Sequence, residues 1–200
     1  MIASALLTDQ RWLKHGFGTK AAPLSQDGMV SLQQIHSAQV LRATLTTGCE
    51  GEGDALITNQ PGVTISIRTA DCLPILLADI EHRAIAAVHA GWRGTAAKIL
   101  EVTLERMHQE FGTEPARVVA VIGPGIGVCC YEVGTEVASQ FGSSQAGRLD
   151  LAAENQKQLE RARVRAFDTL VHCTRCDPKH FHSFRRDKEA AGRMISFIGT

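Results

Sequence analysis

The run from 64 to 95, TISIRTADCLPILLADIEHRAIAAVHAGWRGT, limits the folds open to this chain more than any other stretch. Ile65, Ile67 and residues 73–78 are apolar, Asp79, Glu81 and His82 supply a polar turn, and residues 84–88 are apolar again. Apolar runs of this length, bounded by turn residues, predict two buried strands joined by a short turn. Two polar interruptions break the pattern. Asp71-Cys72 comes just before Pro74, and His89 closes the second run ahead of Ala90-Gly91-Trp92. Neither helps a core. Local rules fail where function overrides packing, so a functional site is expected here.

The 200 residues of the chain make one domain, able to bury a large core without disulfides. Lys plus Arg and Asp plus Glu both count 21, so the net charge is near zero. That argues against a nucleic-acid surface or a polybasic membrane patch as the main business of the protein. No apolar run approaches the roughly 20 residues of a membrane span. The opening MIASALLTDQRW has neither the basic lead nor the long apolar core of a signal peptide. Six Cys at this length read as reduced thiols, and a cytoplasmic protein is expected.

Along the chain, residues 29–32 begin a strand, 46–53 form a Gly-rich loop, and 54–58 form a short strand. Gly94-Thr95 caps an amphipathic helix carrying Ala97, Leu100, Leu104, Met107, His108 and Phe111, which Gly112 ends. Residues 118–122 form a buried strand that runs into Gly123-Pro124-Gly125-Ile126-Gly127. This loop suits either a tight turn or a phosphate cradle of backbone amides, but it is neither a Rossmann nor a Walker loop. Helices are expected over 135–141 and 151–163, and a strand over 164–167. Residues 180–187 alternate aromatic and polar side chains as an exposed strand would. Cys129 and Cys130 are adjacent and cannot easily bridge to each other. Cys173-x-x-Cys176 lacks the second pair that a structural zinc site needs, so these cysteines read as structural.

His36 alone would be an ordinary structural histidine. With Cys72 and His89 it makes two imidazoles and one thiolate. Zinc takes such a set readily and keeps a fourth position for water or substrate, and copper also accepts these donors.

The wording of the motifs is more specific. QIHSAQV, GDALIT, PGVTISIRTADCLPILLAD, AIAAVHAGWRGT, VIGPGIGVCCYEVG and FHSFRRDKEAAGRMISFI follow one another over most of residues 33–198. In this order they resemble the YfiH family, variously labelled laccase-like polyphenol oxidases, purine nucleoside phosphorylases and peptidoglycan-editing factors. The resemblance implies a single α/β (α+β) layered domain over 1–200, with mixed β-sheets flanked by helices and distantly similar to cysteine-hydrolase toxin domains. It places the family's metal ligands on His36, Cys72 and His89. The chain departs from the family pattern at Ser37, where Gly is usual, and in its short N-terminal part.

The leading expectation is a zinc-dependent purine nucleoside phosphorylase acting on adenosine, inosine, guanosine or methylthioadenosine, with adenosine deamination alongside. Its expected partners are nucleoside and phosphate, with no nucleic acid and no membrane, and the chain acts as monomer or homodimer. Asp71, beside the cysteine, is the candidate proton carrier. Arg68, Arg93, Arg185 and the 123–127 loop are candidate phosphate holders, and Arg186 and Arg193 could also receive an anion. The alternative expectation is a hydrolase of a peptidoglycan-precursor amide with Cys72 as nucleophile and His89 as its base. A non-catalytic metal protein has no positive support. A multicopper oxidase needs more ligands than three.

Overall fold

A computed structural model describes all of residues 1–200. The chain forms α1 (Ala5–Thr8), β1 (Lys14–Phe17), β2 (Val30–Gln33), β3 (Val40–Arg42), β4 (Gly48–Glu52), β5 (Ala55–Thr58), β6 (Thr64–Thr69), β7 (Leu73–Asp79) and β8 (Ile85–Ala90). There follow α2 (Trp92–Ala96), α3 (Ile99–Phe111), β9 (Val118–Ile122), β10 (Glu132–Val133), α4 (Thr135–Ala138), β11 (Gly147–Arg148), α5 (Leu151–Arg161), β12 (Ala166–Thr169), α6 (Phe184–Asp187) and β13 (Met194–Gly199).

Two mixed sheets stack on each other. One has the order β1-β13-β6-β2-β4 and the other β12-β9-β7-β8-β5-β3. Strand β7 explains the layering, because it is buried along its whole length. Alternate side chains of a strand face opposite ways. Leu76 and Ala78 join Phe17, Ile65, Ile67 and Ile198 between the two sheets. Ile75 and Leu77 join Leu100, Leu104, Met107 and Leu159 under α3 and α5. A strand covered on both faces reads as an unbroken apolar run, which is how 73–78 reads.

The structure departs from the sequence expectations at several points. The first apolar run is two strands, not one. Chain direction changes at Ala70-Asp71-Cys72, where Asp71 has φ 83, so β6 pairs in the five-stranded sheet and β7 in the six-stranded one. The helix begins later than expected. Gly94-Thr95 lies inside the short α2, and Lys98 in the left-handed region (φ 60) separates it from α3. Gln158 of α5 bridges this break, accepting from the Leu100 amide at 3.3 Å and donating to the Thr95 carbonyl at 2.8 Å. Gly112 does end α3 in the left-handed conformation, φ 74. Residues 46–53 contain strand β4 rather than only a loop. The 180–187 stretch is not an exposed strand. Ser183 is buried and its side chain caps α6 by accepting from the Arg186 amide.

Candidate metal centre

Two connecting segments and one strand end deliver the site. His36 lies in the loop after β2, Cys72 immediately before β7, and His89 near the end of β8. Pairing of β7 with β8 sets Leu73 opposite Ala90 and Pro74 opposite His89, so Cys72 comes alongside the β8 terminus. His36 (φ 59) and Asp71 (φ 83) both hold backbone conformations that non-glycine residues rarely adopt. Such strain clusters at functional sites. The ligand atoms of His36, Cys72 and His89 all lie within 4.8 Å of one another. The two imidazoles meet edge to face, with ring centroids 4.9 Å apart. Gly91 leaves the space for this. A Cβ there would stand 3.0 Å from Cys72 Sγ and 3.5 Å from His36 Cδ2.

Behind the trio stands Asp54, fully buried. Its Oδ1 accepts from His89 Nδ1 at 2.7 Å and from the His36 amide at 3.0 Å. Its Oδ2 accepts from the Ser37 amide at 2.5 Å and from the Ser37 hydroxyl at 2.8 Å. An ionised carboxylate only accepts, so His89 carries its proton on Nδ1 and turns Nε2 toward the cysteine. This is the outer-shell arrangement that orients metal-binding histidines. Sequence patterning does not single out Asp54, which reads as the head of a short strand. Its one signal is a charge opening an otherwise buried apolar run. Ser37 contributes both an amide and a hydroxyl to this network. Gln34 also escapes notice, although its side chain exchanges two hydrogen bonds with the Arg68 backbone and so pins the His36 loop to β6.

The charges of Asp54, His89 and Cys72 act strongly on one another. Burial pushes the Cys72 thiol up, but hydrogen bonds with His36 and His89 and their positive charge outweigh it, and the pKa falls to about 6. Burial pushes His89 down, and the hydrogen bonds to Asp54 and Cys72 more than reverse this, to about 9. Asp54, against its own burial, is held at about 2 by His89 and Ser37. Cys72 is therefore a thiolate near neutral pH, the form that ligates metals. Two nitrogens and one sulfur, oriented from behind and open in front, fit a four-coordinate ion with one free position. The same donors also match a trigonal His₂Cys copper site.

In front of the trio opens a cavity of about 670 Å³. Arg68, Arg185 and Arg193 line it, together with Tyr131, Phe184 and Asp71. Arg93 does not. It sits on α2 with its guanidinium 4.4 Å from the centre of the Trp92 ring. Arg186 is also spent elsewhere, bonding Asp187 and the carbonyls of Thr174, Arg175 and Phe181. Asp71 accepts from Thr174 Oγ1 at 2.6 Å, Ser183 Oγ at 3.1 Å and the Arg185 amide at 2.6 Å. The carboxylate thus ties the tail of the chain to the metal loop. The 123–127 loop keeps few amides for a phosphate. The amides of Gly123, Ile126 and Gly127 already donate to Pro74 O, Asp71 O and Cys173 Sγ.

A family model described as multi-copper polyphenol oxidoreductase laccase matches residues 15–200. The crystal structure of the Bacillus licheniformis hypothetical protein YfiH superposes with a TM-score of 0.82 at 28% identity, covering 88% of this chain and 75% of that one. The chain belongs to the YfiH family. Among YfiH-family relatives, a purine nucleoside phosphorylase of Deinococcus radiodurans is 42% identical over 190 residues, 90% of this chain and 73% of that protein. Adenosine deaminase RL5, from an unknown prokaryotic organism, is 35% identical over 197 residues, 86% of this chain and 75% of that protein. The names of these relatives support an enzyme. The multicopper description finds little material in its side chains. Only two groups of three or more metal-binding residues exist, the His36–Cys72–His89 trio and a cluster of four cysteines. Each group offers donors enough for a single ion, not for several copper ions.

Proposed function

We propose that His36, Cys72 and His89 hold zinc, and that the cavity in front takes a purine nucleoside and phosphate. The base of adenosine, inosine, guanosine or methylthioadenosine is released by phosphorolysis, and adenosine is also deaminated. The observation that carries this reading is the convergence of the three ligands on the floor of an arginine-lined cavity. The names of the relatives support it. Bound zinc supplies Lewis acidity toward a substrate oxygen or a water.

The side chains divide the remaining work. Arg68, Arg185 and Arg193 supply the positive field for phosphate, whose oxygen bonds to the sugar carbon as the bond to the purine nitrogen breaks. Phe184, 41% exposed, offers an aromatic face to the base. The base leaves with the bonding electron pair and takes up a proton. Asp71 is the one carboxylate lining the cavity. To exchange a proton with substrate it gives up a hydroxyl bond from Thr174 or Ser183. The test is phosphate-dependent release of base from a nucleoside panel. Cys72→Ala is expected to lose at least about 100-fold, beyond the roughly 10–100-fold typical of outer-shell changes. A Cys72→Ala chain with full activity overturns the assignment.

One observation favours a second reading. Without metal, Cys72, His89 and Asp54 stand in the order nucleophile, base and orienting acid. That order suits a hydrolase of a peptidoglycan-precursor amide, which metal would inhibit. Amide cleavage that survives strong chelation and stops when Cys72 is alkylated selects this reading over the first.

A further inference from the structure

Four of the six cysteines meet away from the His36–Cys72–His89 trio, and the catalytic reading uses none of them. Cys129 and Cys130 sit in the turn after β9, and Cys173 and Cys176 bracket the turn after β12. Strands β9 and β12 are parallel neighbours, with Ile122 opposite Thr169, so both turns leave the sheet side by side. The pairing continues beyond the strands. Gly125 bridges to Cys173, the Thr174 amide donates to the Gly125 carbonyl at 2.9 Å, and the Gly127 amide donates to Cys173 Sγ at 3.3 Å. A Cβ at Gly127 would press to 3.2 Å from Cys173 Cβ and 3.3 Å from Cys129 Sγ, so the glycine keeps the two turns together.

The four sulfurs lie within 4.8 Å of one another. Cys130 Sγ is 3.2 Å and Cys129 Sγ 3.5 Å from Cys176 Sγ. Four thiolates at about 2.3 Å from a tetrahedral zinc stand about 3.8 Å apart, so this cluster is close to that size already. An all-sulfur tetrahedral set selects zinc over hard cations. A set of four protein ligands leaves no position for substrate, which marks a structural site. The second cysteine pair that C-x-x-C lacks in the sequence is thus the adjacent pair Cys129-Cys130, delivered by the fold.

We propose that Cys129, Cys130, Cys173 and Cys176 bind a structural zinc ion. Each cysteine gives up its thiol proton to solvent as the sulfur ligates. The ion's place in the fold gives it a task. Thr174, inside the C-x-x-C turn, donates to Asp71, and Asp71 accepts the Arg185 amide. Zinc in the cysteine cluster therefore fixes the cavity wall that carries Arg185.

The test uses the full chain carrying Cys72→Ala, purified with zinc under reducing conditions, so that occupancy of the catalytic centre does not enter. One equivalent of zinc per chain is expected. Only Cys49 should react with a thiol reagent until a strong chelator is added, after which four more thiols react. Cobalt in place of zinc should give the intense sulfur-to-metal bands of a tetrahedral thiolate site. Adding Cys176→Ser to the Cys72→Ala chain should abolish the retained equivalent; if that double variant fails to fold, the thiol count on Cys72→Ala decides alone. Absence of zinc with five reactive thiols, iron in place of zinc, or a disulfide joining Cys176 to Cys129 or Cys130 each overturns the proposal. None of these outcomes depends on whether the enzyme acts on nucleosides.

Discussion

At the scale of single residues, Asp54 backs the proposed metal centre, holding His89 and the 36–37 backbone in place. Asp54→Asn keeps the size of the side chain and removes its charge. Metal affinity is expected to fall about 10–100-fold, since Nδ1 of His89 loses its charged acceptor, and titration of apo protein with zinc measures it. The pH dependence has a definite sign. Asp54 is depressed from its ordinary 3.8 to about 2, so its contribution to stability is full above about 4 and is lost as pH falls toward 2. In the metal-free Asp54→Asn variant that acid step should shrink. Cys72 is depressed from 9.0 to about 6, and His89 is raised from 6.5 to about 9. What Cys72 contributes is therefore lost as pH falls through about 6, and what His89 contributes is lost as pH rises through about 9. The thiolate–imidazolium pair spans the interval between. Alkylation of Cys72 in metal-free protein, followed by peptide mapping, should show a midpoint near pH 6 rather than 9, and bound zinc should suppress labelling throughout.

At the scale of elements, the site is assembled at strand ends and in the turns beside them. The β8–α2 turn shows this at Gly91. Its backbone is ordinary (φ −80), so alanine is conformationally acceptable there. The obstacle is the Cβ, 3.0 Å from Cys72 Sγ. Gly91→Ala is expected to leave the melting temperature of apo protein within a few degrees while lowering zinc affinity at least about 10-fold, as displacement of a ligand's surroundings does. Unchanged affinity would mean that Cys72 has room to move. The same contrast separates what the sequence made legible from what it did not. Strands β7, β8 and β9 and the end of α3 at Gly112 are visible because period and turn residues are local signals. His36, Cys72 and His89 stand out because each interrupts such a signal or repeats the wording of a family. Asp54 and the cysteine cluster depend on which turns the sheet sets side by side, and no local period records that. The α6 segment misleads for a related reason. Its alternation of polar and aromatic residues is real, but a buried Ser183 cap converts the end of it into a helix.

At the scale of the whole molecule, β7 is the shared wall of two cores, and this decides how the chain unfolds. The five-stranded sheet and the helical layer touch it from opposite sides, Leu76 facing one and Leu77 the other. No helix is long and apolar enough to cross a membrane. If the two cores were separate folding units, truncating one leucine would lower one transition and spare the other. A strand that belongs to both cannot be lost from one core alone, because its neighbours β8 and β9 would lose their ladder as well. We propose that residues 1–200 unfold as one cooperative domain. Leu76→Ala and Leu77→Ala should each cost about 2–5 kcal/mol, which for a chain of this size lowers the melting temperature by roughly 5–15 °C. Calorimetry of each variant should show one transition displaced as a whole, and loss of zinc on heating should track it. Two transitions moving independently would divide the molecule at β7 and detach the metal centre from one of its two supports.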